Sequence, residues 1–261
     1  MNLKTFFFAL LAAYGPSAHA EAKAVDPDSM SLNYYKQCSY QPTSTSFRFL
    51  GNPAKGQVKL RLYDDALGGK PVRTVKMKRR EYGGWTAEVK GDWKGKFYTF
   101  DIASDAKNPL ESPGVFATAV GVNGHRGAVI DMNSTDPAGW SQDHRLTLKS
   151  PADLVIYEMH FRDFSVSPTS GLKYKGKFLA LTEPKAISYL KKLGVNAVHI
   201  LPSFDYASVD ETQLDKPQYN WGYDPLNYNV PEGSYSTDPY TPSTRIREFK
   251  EMVKALHEAG I

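Results

Sequence analysis

Cysteine is almost absent. Cys38 is the single thiol among 261 residues, so the chain closes no disulfide within itself. Its six histidines show no H-x-x-x-H or similar spacing, which removes the usual zinc-type ligand sets. No glycine-rich phosphate loop follows a strand: GVNGHRG (121–127) precedes no helix. Neither sign of charge dominates, since 32 Lys and Arg against 28 Asp and Glu leave a net +4. The densest basic run, KMKRR (76–80), lies beside a turn signal and reads as a solvated hairpin edge. No nucleic-acid partner is expected.

Long apolar runs are also scarce. With 41% hydrophobic and 23% charged residues, the composition is neither that of a disordered chain nor that of a membrane-spanning one. The exception is at the N-terminus, where Lys4 precedes an apolar run (6–13) and Ala18-His19-Ala20 forms a small-x-small site. This is the pattern of a secretory signal over residues 1–20, too short to remain as a membrane anchor. Cleavage would leave Glu21 first and, without Lys4, a net charge of +3. Cys38 does not lie in a lipobox at that site. A secreted or periplasmic protein with no membrane association after cleavage is expected.

Aromatic residues, by contrast, are plentiful: 13% of the chain, including 16 Tyr. The segment YNWGYDPLNYNVP (219–231) places three tyrosines and a tryptophan among Asn, Gly, Asp and Pro. Gly222, Pro225 and Pro231 are expected to prevent a long helix or strand there. Rings on a loop beside amide and carboxylate groups suit sugar binding, because a pyranose has an apolar C–H face and a rim of hydroxyls. The rings also have a plainer use, to pack the loop down.

Two periodicities divide the chain. Across 46–102, the runs FRFLG, QVKLRLYDD, PVRTVKMKR, WTAEVKG and FYTFDIA alternate with period two and are separated by turn signals. Val58, Leu60 and Leu62 share one face, opposite Lys59, Arg61 and Tyr63. This predicts an antiparallel β-sandwich. Trp85 alternates with Ala87 and Val89 and reads as core, whereas Trp93, in the turn GDWKGK, is a candidate exposed ring.

After Pro151 the runs LVIYEM (154–159) and VNAVHIL (195–201) suit strands buried on both faces. Between them, 182–193 predicts a helix capped by Thr182, with Ile187, Leu190 and Leu193 as its apolar stripe and Gly194 as its stop. Thr241-Pro242 opens another helix, with Ile246, Phe249, Val253 and Leu256 on its buried face. Strand, helix, strand, long loop, helix is a β/α repeat with a parallel sheet. The part after residue 150 is under half of the roughly 250 residues of a complete β/α barrel, so a fragment is expected.

The order YEMHFRDFS (157–165), LGVNAVHILPSFDYASVDE (193–211), YNWGYDPLNYNVPEGSYSTDP (219–239) resembles type I pullulanases, α-1,6-debranching enzymes of glycoside hydrolase family 13. The sandwich resembles the starch-binding module of carbohydrate-binding module family 48, and VGVNGHRGAVIDMNSTDPAGW (120–140) resembles the segment that joins module to barrel. The resemblance implies residues 1–20 as signal, 30–140 as an immunoglobulin-like sandwich module with joining segment, and 150–261 as the first two β/α units of a (β/α)8 barrel. It implies a retaining glycosidase acting on α-1,6 branch points in pullulan, starch or glycogen. A branching or α-1,4-hydrolysing reaction fits WGYDP less well. In this family the tyrosine of WGYDP stacks under the sugar at the cleavage point and the next Asp lies in the same site; here these are Tyr223 and Asp224. Trp221 either lines a neighbouring subsite or holds the base of the loop. Tyr219, Tyr228 and Tyr235 are expected to pack the loop, and Trp93 is the sandwich's candidate glucan contact.

The family's catalytic carboxylates, on strands four, five and seven, are expected beyond Ile261, so no catalytic residue is assigned here. Among the carboxylates present, Glu158 is expected to pair with His160 in the barrel core and Arg162 with Asp163, with Asp210-Glu211 as solvated loop. Asp205 follows the second strand. No cofactor is assigned: the family sometimes carries calcium, but no ligand cluster is legible in the sequence. A non-catalytic α-glucan-binding protein is the alternative reading.

Overall fold

The computed structural model describes residues 36–51, 56–80, 84–102 and 110–261. The predicted signal over residues 1–20 lies outside them. Two antiparallel sheets come first. One contains β1 (Cys38–Gln41), β2 (Ser44–Leu50), β5 (Lys78–Arg79) and β6 (Gly84–Lys90), in the order β1-β2-β6-β5. The other contains β3 (Lys59–Tyr63), β4 (Arg73–Lys76), β7 (Phe97–Asp101) and β8 (Glu111–Ser112), in the order β4-β3-β7-β8, with β9 (Gly127–Ala128) also paired to β7.

The alternation read from the sequence decides which side chains lie between the sheets. Phe47, Trp85 and Val89 from the first meet Leu60, Leu62, Tyr98 and Phe100 from the second, all of them buried. Phe47 packs edge-on against Tyr98 at 5.1 Å. Each fully buried aliphatic or Phe side chain of this kind contributes about 1.5–3 kcal/mol by leaving water. Trp85 is core, as expected, and its indole N–H donates to the Gly51 carbonyl at 3.1 Å.

Beyond the sandwich, β10 (Ile156–Met159) runs parallel to β11 (Ala197–Ile200), with α1 (Phe161–Ser165) and α2 (Pro184–Lys192) between them in sequence. The two strands are not buried on both faces. Tyr157 and Met159 enter the core with Val198 and Ile200, but Ile156 is 59% exposed, and Glu158 pairs with His199 at 3.1 Å on the open face. A two-stranded pair covered on one side keeps a period-two division that the unbroken apolar run conceals. Among the described residues, no helix is long and apolar enough to cross a membrane.

Helix α2 begins two residues later than expected. Residues Phe178–Thr182 form a 3-10 turn, and the Thr182 hydroxyl donates to the Leu179 carbonyl, so Glu183, not Thr182, takes the cap position, followed by Pro184. Ala186 and Leu190 are its buried residues, and Leu193 is exposed.

Residues 219–231 are not loop throughout. β13 (Pro225–Pro231) pairs antiparallel with β12 (Phe204–Tyr206), with register shifts between the paired residues. Pro225 and Pro231 occupy the two ends of this strand, where a missing N–H is tolerated. Helix α3 (Pro242–Glu258) starts after Thr241, as the sequence predicted, and buries Arg245, Ile246, Glu248, Met252 and Leu256. Lys250 reaches Asp136 at 2.5 Å and Arg247 the Ser134 carbonyl at 3.0 Å, so α3 is tied to the segment joining the two halves.

Candidate functional site

The aromatic loop is built on a tight contact. At Gly222 the backbone has φ of +91°, and an added Cβ would come within 2.8 Å of the Pro202 ring and 3.0 Å of its carbonyl oxygen. Glycine meets both demands, and the chain turns hard against the end of β11. The residues on either side are thereby turned outward: Trp221 is 62% exposed and Tyr223 58%, their rings edge-to-face with centroids 5.3 Å apart.

Asp224 fastens the loop from below. One carboxylate oxygen accepts from the Ser208 amide at 2.7 Å and the other from Asn220 Nδ2 at 2.9 Å. Asn220 also bonds the Ser208 hydroxyl, and the Ala207 amide donates to the Asp224 carbonyl at 3.0 Å. Burial acts to raise the Asp224 pKa, but these hydrogen bonds outweigh it and hold the carboxyl below the usual range.

The other tyrosines divide. Tyr219 and Tyr228 do not pack the loop: they are 88% and 70% exposed, Tyr228 standing edge-on to Phe204 at 5.0 Å. Both follow a backbone that faces solvent, the open side of the loop and of β13. Tyr235 does pack, fully buried among Phe161, Phe178 and Tyr206. Beside Tyr219, a cleft of about 640 Å³ opens, lined by Arg162, Lys175, Lys177, Leu214 and Gln218 among others. Trp93, in the sandwich, is half-buried, with its indole N–H on the Lys90 carbonyl at 3.0 Å and the Arg73 guanidinium 6.0 Å from its ring.

Several polar pairings differ from expectation. His160 does not meet Glu158. It is buried at the end of β10, where Nδ1 accepts from the Arg162 amide at 3.2 Å and Nε2 meets the Tyr235 hydroxyl at 2.9 Å. Because residues two apart share a face only while the strand continues, the turn into α1 carries His160 away from Glu158. Burial lowers the His160 pKa. Arg162 donates to the Gln218 carbonyl at 3.0 Å in place of pairing with Asp163.

Beneath the loop lies a cluster that the sequence did not reveal. Arg245, fully buried on α3, donates to Asp205 at 3.1 Å and to Glu211 at 2.8 Å, and also to the carbonyls of Pro231 and Pro239. Glu211 is therefore not solvated loop: it is 3% exposed, drawn inward by the guanidinium and by the Asn123 amide at 2.8 Å. Asp210, next to it, accepts from the Thr212 hydroxyl, from Asn123 Nδ2 and, as the cap of the following turn, from the Thr212 amide, and these bonds hold its pKa well below the usual range. Glu232, fully buried, accepts from the amides of Ser234 and Tyr206. Gly233 fits because a Cβ there would fall within 2.4 Å of the Arg245 guanidinium. Asp205, Glu211 and Glu232 are the three carboxylates, among the described residues, close enough to share a cation, and Arg245 supplies the positive charge between them. One signal for this was present: Arg245 stands at helical spacing from Phe249, Met252 and Leu256, and a charge on an apolar face needs a buried partner.

No family model matches the chain. It is 41% identical over 203 residues to the pullulanase of Bacillus subtilis strain 168, covering 74% of this chain and 27% of that protein. It is 28% identical over 252 residues to the chloroplastic pullulanase 1 of Arabidopsis thaliana, covering 80% of this chain and 26% of the plant protein. The chain thus spans about a quarter of the length of these curated relatives. In structure it resembles a mutant pullulanase from Paenibacillus barengoltzii complexed with maltotriose, with a TM-score of 0.81 and 44% identity over 86% of this chain and 36% of that one.

Proposed function

We propose, from the premise that this chain belongs to the pullulanase family, that loop 219–224 is an α-glucan-binding surface of a glycoside hydrolase acting on α-1,6 branch points. The observation that carries this reading is the pair of outward rings, Trp221 and Tyr223, fixed on either side of Gly222 above an anchored Asp224. Rings held rigidly in solvent have little role in stability, and a sugar ring stacked on them is positioned with small loss of freedom. The solved relatives complexed with maltotriose, maltotetraose and cyclodextrin support the choice of glucan as ligand.

In this reading Tyr223 lies under the sugar at the bond to be cleaved, Asp224 holds the loop at that site, and Trp221 lines a neighbouring subsite. Trp93 makes a secondary contact on the sandwich. Residues 30–140 serve as a carbohydrate-binding module of family 48 with its joining segment, and 150–261 as the first two β/α units of the catalytic barrel. Pullulan, starch and glycogen are the substrates, hydrolysed with retention after export to the periplasm or medium.

The chain's own contribution is to bind and orient. Asp205 and Glu211 are tied to Arg245, Glu158 to His199, and Asp224 to Ser208 and Asn220. Each of these carboxylates is engaged in holding structure, and the bond-breaking pair is assigned to no residue here. The alternative, a glucan-binding protein without hydrolysis, shares this surface and differs in turnover alone.

Calorimetric titration with maltotriose tests the reading. Tyr223→Ala and Trp221→Ala are expected to weaken binding at least about tenfold, near 1.4 kcal/mol, with unfolding unchanged. Affinity unaltered by both substitutions would overturn it.

A further inference from the structure

We infer that Arg245, Asp205, Glu211 and Glu232 form a proton-holding lock that sets the position of the aromatic loop. Its link to glucan binding rests on the reading above; the lock itself does not.

The argument begins with where the four residues lie along the chain. Asp205, on β12, precedes the loop, Glu211 lies between β12 and the loop, and Glu232 follows β13 directly. Asp205 and Glu211 converge on one side chain from α3, and Glu232 lies close beside both carboxylates. A single guanidinium reaches Asp205 and the Pro231 carbonyl through Nη1, and Glu211 and the Pro239 carbonyl through Nη2. Glu232 closes the circuit: its side chain accepts from the Tyr206 amide, and its own amide donates to the Ser203 carbonyl at 2.8 Å. The segment carrying Trp221 and Tyr223 therefore leaves from and returns to this cluster, so a movement of any member displaces both ends of the loop.

Charge is the second element. Three buried carboxylates face one buried guanidinium, and a group ionised away from water is costly unless paired. Asp205 has Arg245 and Asn227, and Glu211 has Arg245 and the Asn123 amide. Glu232 has two amides and no cation in contact. The groups facing it are Asp205, Glu211, Arg245, the hydroxyls of Tyr206 and Tyr235, and the ammonium of Lys177, which is spent on the Ser234 carbonyl at 2.8 Å. Lys177, near Glu248 as well, is itself pushed down by burial. The local balance favours one retained proton. Burial, reinforced by Glu211 and Asp205, pushes Glu232 up to about 8, and burial raises Asp205 to about 6 against the pull of Arg245.

The sign of the pH effect follows. A carboxyl whose pKa is raised on folding binds its proton more tightly in the native state, so its contribution is greatest at low pH and falls as pH rises. For Glu232 that fall runs from its ordinary value of 4.5 up to about 8. His160, with a lowered pKa, acts in the opposite sense below its ordinary 6.5. Comparing wild type with Glu232→Gln at each pH cancels that contribution and those of the other titrating groups.

The test uses the whole chain. The Glu232 side-chain carboxyl and the Trp221 indole N–H are followed by NMR across pH, with Glu232→Gln alongside. The expected result is a Glu232 midpoint near 8, a Trp221 signal that moves with the same midpoint, and no such movement in Glu232→Gln. Wild type should also lose thermal stability relative to Glu232→Gln between about pH 5 and 8. A Glu232 midpoint in the ordinary carboxylate range, or a Trp221 signal that does not follow it, would overturn the lock. The wild-type titration decides even where the variant folds poorly. Maltotriose added at each pH separates the two claims: no binding at any pH counts against the glucan reading, while Trp221 still reports on the lock.

Discussion

Asn123 and Glu211, 88 residues apart, each give a backbone amide to the other's side chain. The Asn123 amide donates to Glu211 Oε2 at 2.8 Å, and the Glu211 amide to Asn123 Oδ1 at 2.7 Å. Asn123 adopts a left-handed backbone, φ +62°, which Asn tolerates better than most residues. This reciprocal pair ties the joining segment to the base of the aromatic loop. Asn123→Ala is expected to destabilise the chain by about 1–3 kcal/mol, since it orphans a buried amide and strains the turn. Urea unfolding measures this, and a loss below about 0.5 kcal/mol would place the tie elsewhere.

Arg245→Met removes the cation paired with the buried carboxylates of Asp205 and Glu211. A loss of about 3–5 kcal/mol is expected, because the remaining charges are left unpaired. Chemical denaturation of variant and wild type at neutral pH checks it, and near-equal midpoints would contradict the assignment.

Gly222→Ala should separate loop geometry from fold. The added Cβ meets the Pro202 ring and sits in a left-handed backbone, so the loop must shift while the core is untouched. Maltotriose affinity is expected to fall about tenfold with little change in the global unfolding midpoint.

Asp224 predicts an acid limit for binding. Its carboxyl titrates below the usual range, so its anchoring is fully present above the ordinary Asp value and is lost as pH falls through the lower folded value. Maltotriose affinity should hold from neutrality down to about pH 4 and decline below it. Asp224→Ala should bind weakly throughout; an affinity equal to wild type at neutral pH would exclude the anchor.

The two sandwich tryptophans should behave differently. Trp85→Ala empties a buried site and is expected to cost about 3–5 kcal/mol. Trp93→Ala, at a half-buried turn, should cost much less and weaken binding of long glucans while leaving maltotriose affinity unchanged.

The sandwich was legible because β2 and β6 bury mainly one face and β3 alternates from Lys59 to Leu62, so that alternation maps onto burial there, whereas β7 is buried along its whole length. The start of α3 was legible because Thr241-Pro242 is a local signal. Pro225 and Pro231 misled, since a proline excludes the middle of a strand but not its ends, and β13 begins and ends on them. Glu211 and Glu232 were hidden for another reason. Arg245, the partner of Glu211, lies more than a dozen residues from either in sequence, Glu232 is held by backbone amides, and nothing local distinguishes a buried carboxylate from a solvated one. Trp221 and Tyr223 stand out in the sequence by chemical type alone, as rings among turn-forming residues, and both are exposed.

The most direct test of the central claim is a chemical-shift map of the chain titrated with maltotriose. The account predicts saturable shifts centred on Trp221, Tyr223 and Asp224, abolished in Tyr223→Ala. Saturable shifts confined to other residues, or none at concentrations that saturate a full-length relative, would contradict it.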